Sequence, residues 1–421
     1  MRLLPFSRTP LEKALQRYMA GEELELLDSY RPRSRREGEA VVEVLRQIER
    51  VPRRPEEGYR TSPLFSIAAL FQQIDGEGAF KVLNSDGTRE LARIARASFP
   101  PREDDHDDLP FLLKILVMHA AAEALELVAL AARHPATRDF YLWTMILSQL
   151  EDAHPLTTVI VAALRDPLPE GFAGVAFLDL ANARARSGRG DAHPFDTAEG
   201  LERITSWLME RSPETYSYAL SAAAAIPFLR TPARQRLTEL AWEHPDYAVR
   251  LEGYWSAAKL GDERAVIALA DAARDPRKGT RALALLEELG RLDAAPAATK
   301  TAEHAALTEL AEWLAYPTEF GAYPDALRVY DTRELFWPPT NDRRRLWLIE
   351  YTYEASADRD ERAVGVGMVG SITFALFGET TAEMSPEDLY GIHCAWELET
   401  NGDPRAPEER TAAAGRRLLG I

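Results

Sequence analysis

Four stretches of the chain hold residue types that could do chemistry. GVGMVG (365–370) has the Gly-x-Gly-x-x-Gly spacing, with which a strand-to-helix turn cradles a pyrophosphate. That use needs a helix directly after the glycines and an acidic residue about 20 positions on. The next residues are SITFALF, which reads as strand, so the pattern does not predict a nucleotide site. His393 and Glu397 stand four residues apart, a spacing that puts both on one helix face, where they could hold a metal. Only these two ligands are visible there, and the other seven histidines are scattered. Cys394 and His393 are adjacent, and neighbours on a helix project about 100° apart, which is poor geometry for a thiolate–imidazole pair. A helix with a buried cysteine and a polar histidine is the expectation.

The other two stretches are charged. PREDDHDDLP (101–110) is acidic but lacks the ordered ligand spacing and glycine of a calcium loop. It reads as a solvated loop, with Asp108 placed where negative charge favours a helix start. RPRSRREGEA (31–40) and RVPRRP (50–55) are locally basic, with glutamates interleaved, and read as surface loop. None of the four forms a catalytic constellation. No cofactor, no metal and no enzymatic activity are expected.

The elements around these stretches show a period. A polar residue followed by proline separates apolar helical runs at His134-Pro135, Asp166-Pro167, Ser212-Pro213, His244-Pro245 and Asp275-Pro276, with spacings of 32, 46, 32 and 31. Proline there ends one helix and can open the next at its first turn. The long spacing contains SGRGDAHPFDTAEG (187–200), read as a loop insertion. Helices are predicted near 109–119, 121–133, 136–151, 155–165, 170–186, 197–211, 213–228, 231–243, 279–291 and 300–315. In the clearest unit, 244–276, Asp246 caps a helix with the face Val249, Tyr254, Ala257, Ala258 and Leu260. Gly261 takes the left-handed turn after it. Asp262 caps a second helix, with the face Ala265, Val266, Leu269, Ala270 and Ala273. Hairpins this small bury their faces only by stacking.

The run from Asp246, Val249 and Arg250 through Ala257, Ala258, Leu260, Gly261, Asp262, Arg264, Ala265, Val266 and Leu269 to Asp275 and Pro276 resembles the short HEAT repeats of the phycobilisome-lyase type. The resemblance implies a HEAT-like α-solenoid. It also implies a hydrogen-bonded ladder between neighbouring repeats, here Asp246 and Arg250 with Arg281 next. It covers one repeat well and its neighbours loosely.

After Tyr316-Pro317 the composition shifts to prolines and aromatics, read as a linker with a strand near 326–331. RLWLIEYTYEA (345–355) alternates like a half-buried strand. VGVGMVGSITFALF (364–377) reads as one buried strand, entered through a bulge or bend at Gly365, Gly367 or Gly370. The two runs would pair as a hairpin across ASADRDER. SPEDLYGIHCAWELE (385–399) is a helix with Ser385 as N-cap and Pro386 at N1, and APEERTAAAGRRLLG gives a last helix. The fold class is therefore mostly α: a helical cap region (1–100), a HEAT-like solenoid (101–316) and a small α+β module (317–421) made of a β-hairpin and two helices.

The net charge is −17, with six Lys against 44 Arg, which argues against a groove that tracks nucleic-acid phosphates. One cysteine excludes intrachain disulfides and a cysteine-based zinc site. MRLLPFSRTPLEKAL lacks a signal peptide's apolar run, and no 18-residue apolar stretch is present, so a cytoplasmic protein is expected. The leading functional expectation is a scaffold or adaptor. Its protein or peptide partner would sit on a concave face formed by the second helix of each hairpin. Helix phase places Arg203, Glu210, Arg234, Glu239, Arg264, Asp271, Glu303 and Glu309 there. Trp143, Trp207, Trp242, Trp255 and Trp313 recur at the hairpins; most are expected in the core, and one left on a groove would be an anchor. The resemblance implies a second possibility, an enzyme or its specificity subunit, either bilin lyase-like or a solenoid acting on damaged DNA bases. A third alternative is a subunit of a larger assembly that docks through 317–421.

Overall fold

A computed structural model describes residues 8–21, 27–50, 63–100, 108–150, 153–189, 192–212, 215–230, 232–355 and 361–421. The acidic run up to residue 107, the basic run from 51 to 55 and most of the ASADRDER loop lie outside these residues. The chain divides into two compact units, one ending at Arg250 and the other beginning at Leu251.

The helices of the first unit are α1 (Pro10–Met19), α2 (Arg35–Arg46), α3 (Pro63–Ala69), α4 (Glu77–Val82), α5 (Thr88–Ala97), α6 (Asp108–Met118), α7 (Ala124–Ala131), α8 (Trp143–Leu147), α9 (Thr157–Leu164), α10 (Gly171–Arg186), α11 (Ala198–Met209), α12 (Tyr216–Ala225) and α13 (Arg234–Trp242). α14 (Tyr247–Lys259) contains the point of division. Local chemistry starts several of them. Thr9 with Glu12, and Ser34 with Glu37, form reciprocal capping boxes. α6, α8, α10 and α12 pack in succession, and so do α5, α7 and α9. One continuous apolar core joins them, from Leu11 through Ile115, Trp143 and Phe177 to Val249.

The helix expected over 136–151 is reduced to Trp143–Leu147. Side-chain hydrogen bonds hold the preceding segment in turns. The Trp143 indole Nε1 donates to the Thr137 carbonyl at 2.8 Å, and the Asp139 carboxylate accepts from the Phe172 N–H at 3.3 Å. The first bond is local and competes with a helix for the same backbone, and the second ties the segment to the start of α10. The other predicted helices of this unit stand within a few residues of their expected bounds.

In the second unit, α15 (Glu263–Ala272), α16 (Pro276–Glu288) and α17 (Ala302–Ala315) follow α14. Asp262, Asp275 and Thr301 cap them, each accepting a backbone N–H. Gly261 has φ +95°, as its position after α14 requires. The inward face of α15 is buried as expected, but Leu260 is exposed, because α14 ends at Lys259 and Leu260 sits on the turn. The residues expected in the ladder have these partners among the described residues. Asp246 accepts from the Val249 N–H, Arg250 donates to the carbonyls of His244 and Pro245, and Arg281 pairs with the buried Glu252.

The sheet is larger than a hairpin. β1 (Ala326–Trp337), β2 (Asp342–Tyr353), β3 (Ala363–Val369) and β4 (Thr373–Phe377) form an antiparallel meander in sequence order. The pairing of the 345–355 and 364–369 runs is present as β2–β3, with Ile349 opposite Gly367. The short strand expected near 326–331 starts there and runs on to Trp337 as the twelve-residue β1, and the single run 364–377 is two strands that turn after Val369. The period of two splits β2 between two cores. Leu346 and Leu348 pack with Trp337, Val366, Met368 and Leu389. Ile349, Tyr351 and Tyr353 pack with Ala306, Leu310 and Leu314 of α17. The sheet is thus covered on one face by α17 and on the other by α18 (Pro386–Thr400), against which α19 (Ala412–Leu419) lies.

α18 and α19 cross at Gly391 and Gly415, where a methyl group on Gly415 would run into the Gly391 carbonyl. Gly415→Ala should therefore push α19 off α18. A loss of about 3 kcal/mol, the upper range for overpacking, is expected in urea unfolding, together with faster proteolysis of the C-terminal helix.

Candidate interaction sites

The GVGMVG run and the 393–397 segment resolve into packing. Each glycine of GVGMVG admits a neighbour that a side chain would displace. The Tyr351 hydroxyl passes Gly365 to donate to the Leu376 carbonyl at 2.9 Å, Leu310 of α17 sits against Gly367, and Leu346 sits against Gly370. His393 is fully buried, neither ring nitrogen has a hydrogen-bond partner among the described residues, and the Phe374 ring stacks at 6.5 Å. Burial holds its pKa down at about 3. Glu397 is also buried, but it is satisfied. It accepts from Trp337 Nε1 at 2.6 Å, and its two oxygens lie 2.7 and 2.8 Å from Ser371 Oγ. It therefore ties the end of β1, the β3–β4 turn and α18 together. Burial pushes the Cys394 thiol up to about 12, so it is not a ready nucleophile. No group of three metal-ligating side chains occurs among the described residues.

Arginines of the 31–36 run are engaged within the chain. Arg33 meets Asp75 at 3.0 Å, Arg35 meets Glu39 at 2.8 Å, and Arg36 meets Glu12. Trp143 and Trp255 are fully buried, and Trp207, Trp242 and Trp313 are half-buried, so none of the five stands out as a solvent-exposed anchor.

Of the eight charged residues placed on second helices, several hold their own chain. Arg203 donates to the Pro169 carbonyl and to Glu199. The Glu210 carboxylate accepts the N–H groups of Arg211 and Ser212 at 2.9 and 3.0 Å. Arg234 donates to the Leu229 carbonyl, Glu239 accepts from Gln235 at 3.3 Å, and Glu309 accepts from Thr373 at 2.6 Å across to the sheet. Glu303 is exposed in the first turn of α17.

Arg264 and Asp271 differ from these. Their side chains are 81% and 80% exposed, with Arg264 forked onto Asp262 at 2.7 Å and Asp271 3.4 Å from Arg274. Between them on the same face of α15 stands Ile267, 68% exposed. The spacing i, i+3, i+7 aligns the three. Reading the helix by its charges missed Ile267, although the phase that buries Val266 and Leu269 places it outward.

A second site lies in the first unit. α8 and α10 start side by side: the Ala173 N–H donates to the Arg138 carbonyl at 2.7 Å, in the turn that leads to α8. α8 then ends after five residues while α10 runs for sixteen, roughly 8 Å against 24 Å. Where α8 stops short, a half-open trench of about 700 Å³ remains. Leu147, Leu150, Ala176 and Leu180 give it apolar walls, Thr144, Ser148 and Asp179 contribute polar groups, and Arg184 and Arg189 also line it. The turn after α10 brings the two arginines together. Gly188 has φ +70°, and the Arg189 N–H donates back to the Arg184 carbonyl at 3.0 Å, a helix stop that needs glycine at this position.

A family model of HEAT repeats matches residues 201–290. This stretch covers α11 through α16 and includes the Ile267 face. No curated protein and no solved structure matches the chain.

Proposed function

We propose that the chain is an interaction scaffold whose partner is a protein, and that the outer face of α15 is one of its contact surfaces. The HEAT-repeat match supports the class, because stacked helical hairpins present extended surfaces to partners. The observation that carries the reading is Ile267, a large apolar side chain left two-thirds in water between a cation and an anion. An apolar anchor ringed by charge fits the core-and-rim anatomy of a protein interface. Mixed charge on this face, in a chain of net charge −17, suits a protein surface better than a polyanion.

The reading is tested by cross-linking the full chain in its source cells and comparing the captured proteins for wild type, Ile267→Glu and a control change at the exposed Glu287. A partner held at α15 should be lost from Ile267→Glu and kept by the control. With the purified partner, Ile267→Glu should weaken binding by about 2 kcal/mol, the scale of an interface hot spot. An identical partner set for Ile267→Glu and wild type rules out this face.

A further inference from the structure

The charges on the outer face of α15 stand in an order that is its own complement. Arg264 comes first, Ile267 stands between and Asp271 comes last, over about 10 Å of helix. Read from the other end, cation, apolar residue and anion become anion, apolar residue and cation. Two such helices laid antiparallel oppose unlike charges at both ends and apolar residues in the middle. With the symmetry axis between Ile267 and Ala268, Arg264 of each copy faces Asp271 of the other. Ile267 of each then faces the small, half-buried Ala268 of the other. Asp262 falls opposite Ala273 and Glu263 opposite Ala272, so no two like charges meet along α15.

The partners these side chains already have fit the same arrangement. Arg264 holds Asp262 at 2.7 Å, and Asp271 lies 3.4 Å from Arg274. Exposed pairs of this kind contribute little to the fold, and neither has to part. A second copy extends each into a row of alternating sign: Asp262 and Arg264, then Asp271 and Arg274 of the second copy. The row occurs twice, once on each side of the Ile267 contact. Glu263 stays with Arg291 at 2.8 Å. Leu292, next to Arg291, and Leu260, on the turn before α15, are both exposed and add apolar area at the start of the helix.

Resting on the reading of this face as a contact surface, we infer that its partner is a second copy of this chain, bound α15 against α15 about a twofold axis. A twofold contact uses one patch twice, so the patch must complement itself, as this one does. One helix on one helix is a small interface, and the dimer is expected to form in the micromolar range.

Sedimentation equilibrium of the full chain from about 1 µM to about 200 µM is the test. Wild type should pass from one chain to two across this range. Ile267→Glu sets two carboxylates at the axis, and Arg264→Asp or Asp271→Arg sets two like pairs across it. Each variant should stay a single chain, with Kd raised at least about tenfold. An equal mixture of Arg264→Asp and Asp271→Arg should dimerise again, because both pairs across the axis are then unlike. Misfolding does not produce that recovery. If either reversal loses the far-UV circular dichroism of wild type, wild type against Ile267→Glu decides. A wild type still single at about 200 µM overturns the inference and leaves α15 to an unlike partner. The capture comparison with Ile267→Glu then still decides whether the face is a contact surface at all. A dimer kept by Ile267→Glu or by either reversal, or a mixture of folded reversals that stays single, also overturns the inference.

Discussion

Glu397→Ala should lower the stability of the second unit by about 3 kcal/mol, the scale for stranding buried partners of a charged acceptor. The carboxylate is the acceptor for the Trp337 indole N–H and the half-buried Ser371 hydroxyl. Trp337 is fully buried, so its N–H would be left unpaired. Three elements lose a common tie at once: β1, the β3–β4 turn and α18. Glu397→Gln keeps the shape and one acceptor oxygen, so its loss should be about 1 kcal/mol. Urea unfolding followed by tryptophan fluorescence measures both. An alanine variant as stable as wild type would show that Glu397 does not tie these three elements together.

His393 should make the same unit acid-sensitive. Its pKa is about 3 when folded, against an ordinary 6.5, and the cause is burial. Between these values the unfolded chain takes up a proton that the folded chain refuses. The stability contributed by the neutral ring is complete above about 6.5 and is lost as pH falls towards 3, at about 1.4 kcal/mol per pH unit within that window. From pH 7 to pH 5 the loss is about 2 kcal/mol. His393→Leu removes the titrating group and two unsatisfied nitrogens in exchange for a side chain suited to the site. It should be at least as stable as wild type at pH 7 and flatter in its pH profile. His193 in the first unit is also held low, at about 4, by burial against the opposing pull of Asp196. The difference between variant and wild type therefore isolates His393. A pH profile that His393→Leu leaves unchanged would show that the acid sensitivity arises elsewhere.

The two predictions share a cause that no spacing rule shows. The sequence placed His393 and Glu397 on one helix face, which is correct, and metal ligation was the chemistry to weigh. Which of the two is satisfied depends on Trp337, about 60 residues away, and on Ser371, at a turn after Gly370 inside a run read as one strand. The glycines of GVGMVG are a similar case. The strand after them ruled out a nucleotide turn, but their use became clear only when Tyr351 and Leu310 arrived from β2 and α17.

By itself, the sequence determined what is local. Proline after a polar residue, Asp262 and Asp275 as caps, and Gly261 in the left-handed region fix where helices start and stop, because these effects act within one turn of chain. The same local chemistry marked the change of composition after residue 316 and the cap at Ser385. The tertiary structure decided which surfaces remain. It cut the helix over 136–151 to five residues through side-chain bonds to turn backbone, and so opened the trench beside α10. It placed α17 on the sheet, and it left Ile267 in water while its neighbours went into the core. These outcomes depend on partners distant in sequence competing for the same backbone and the same apolar area, and a local pattern does not contain that competition.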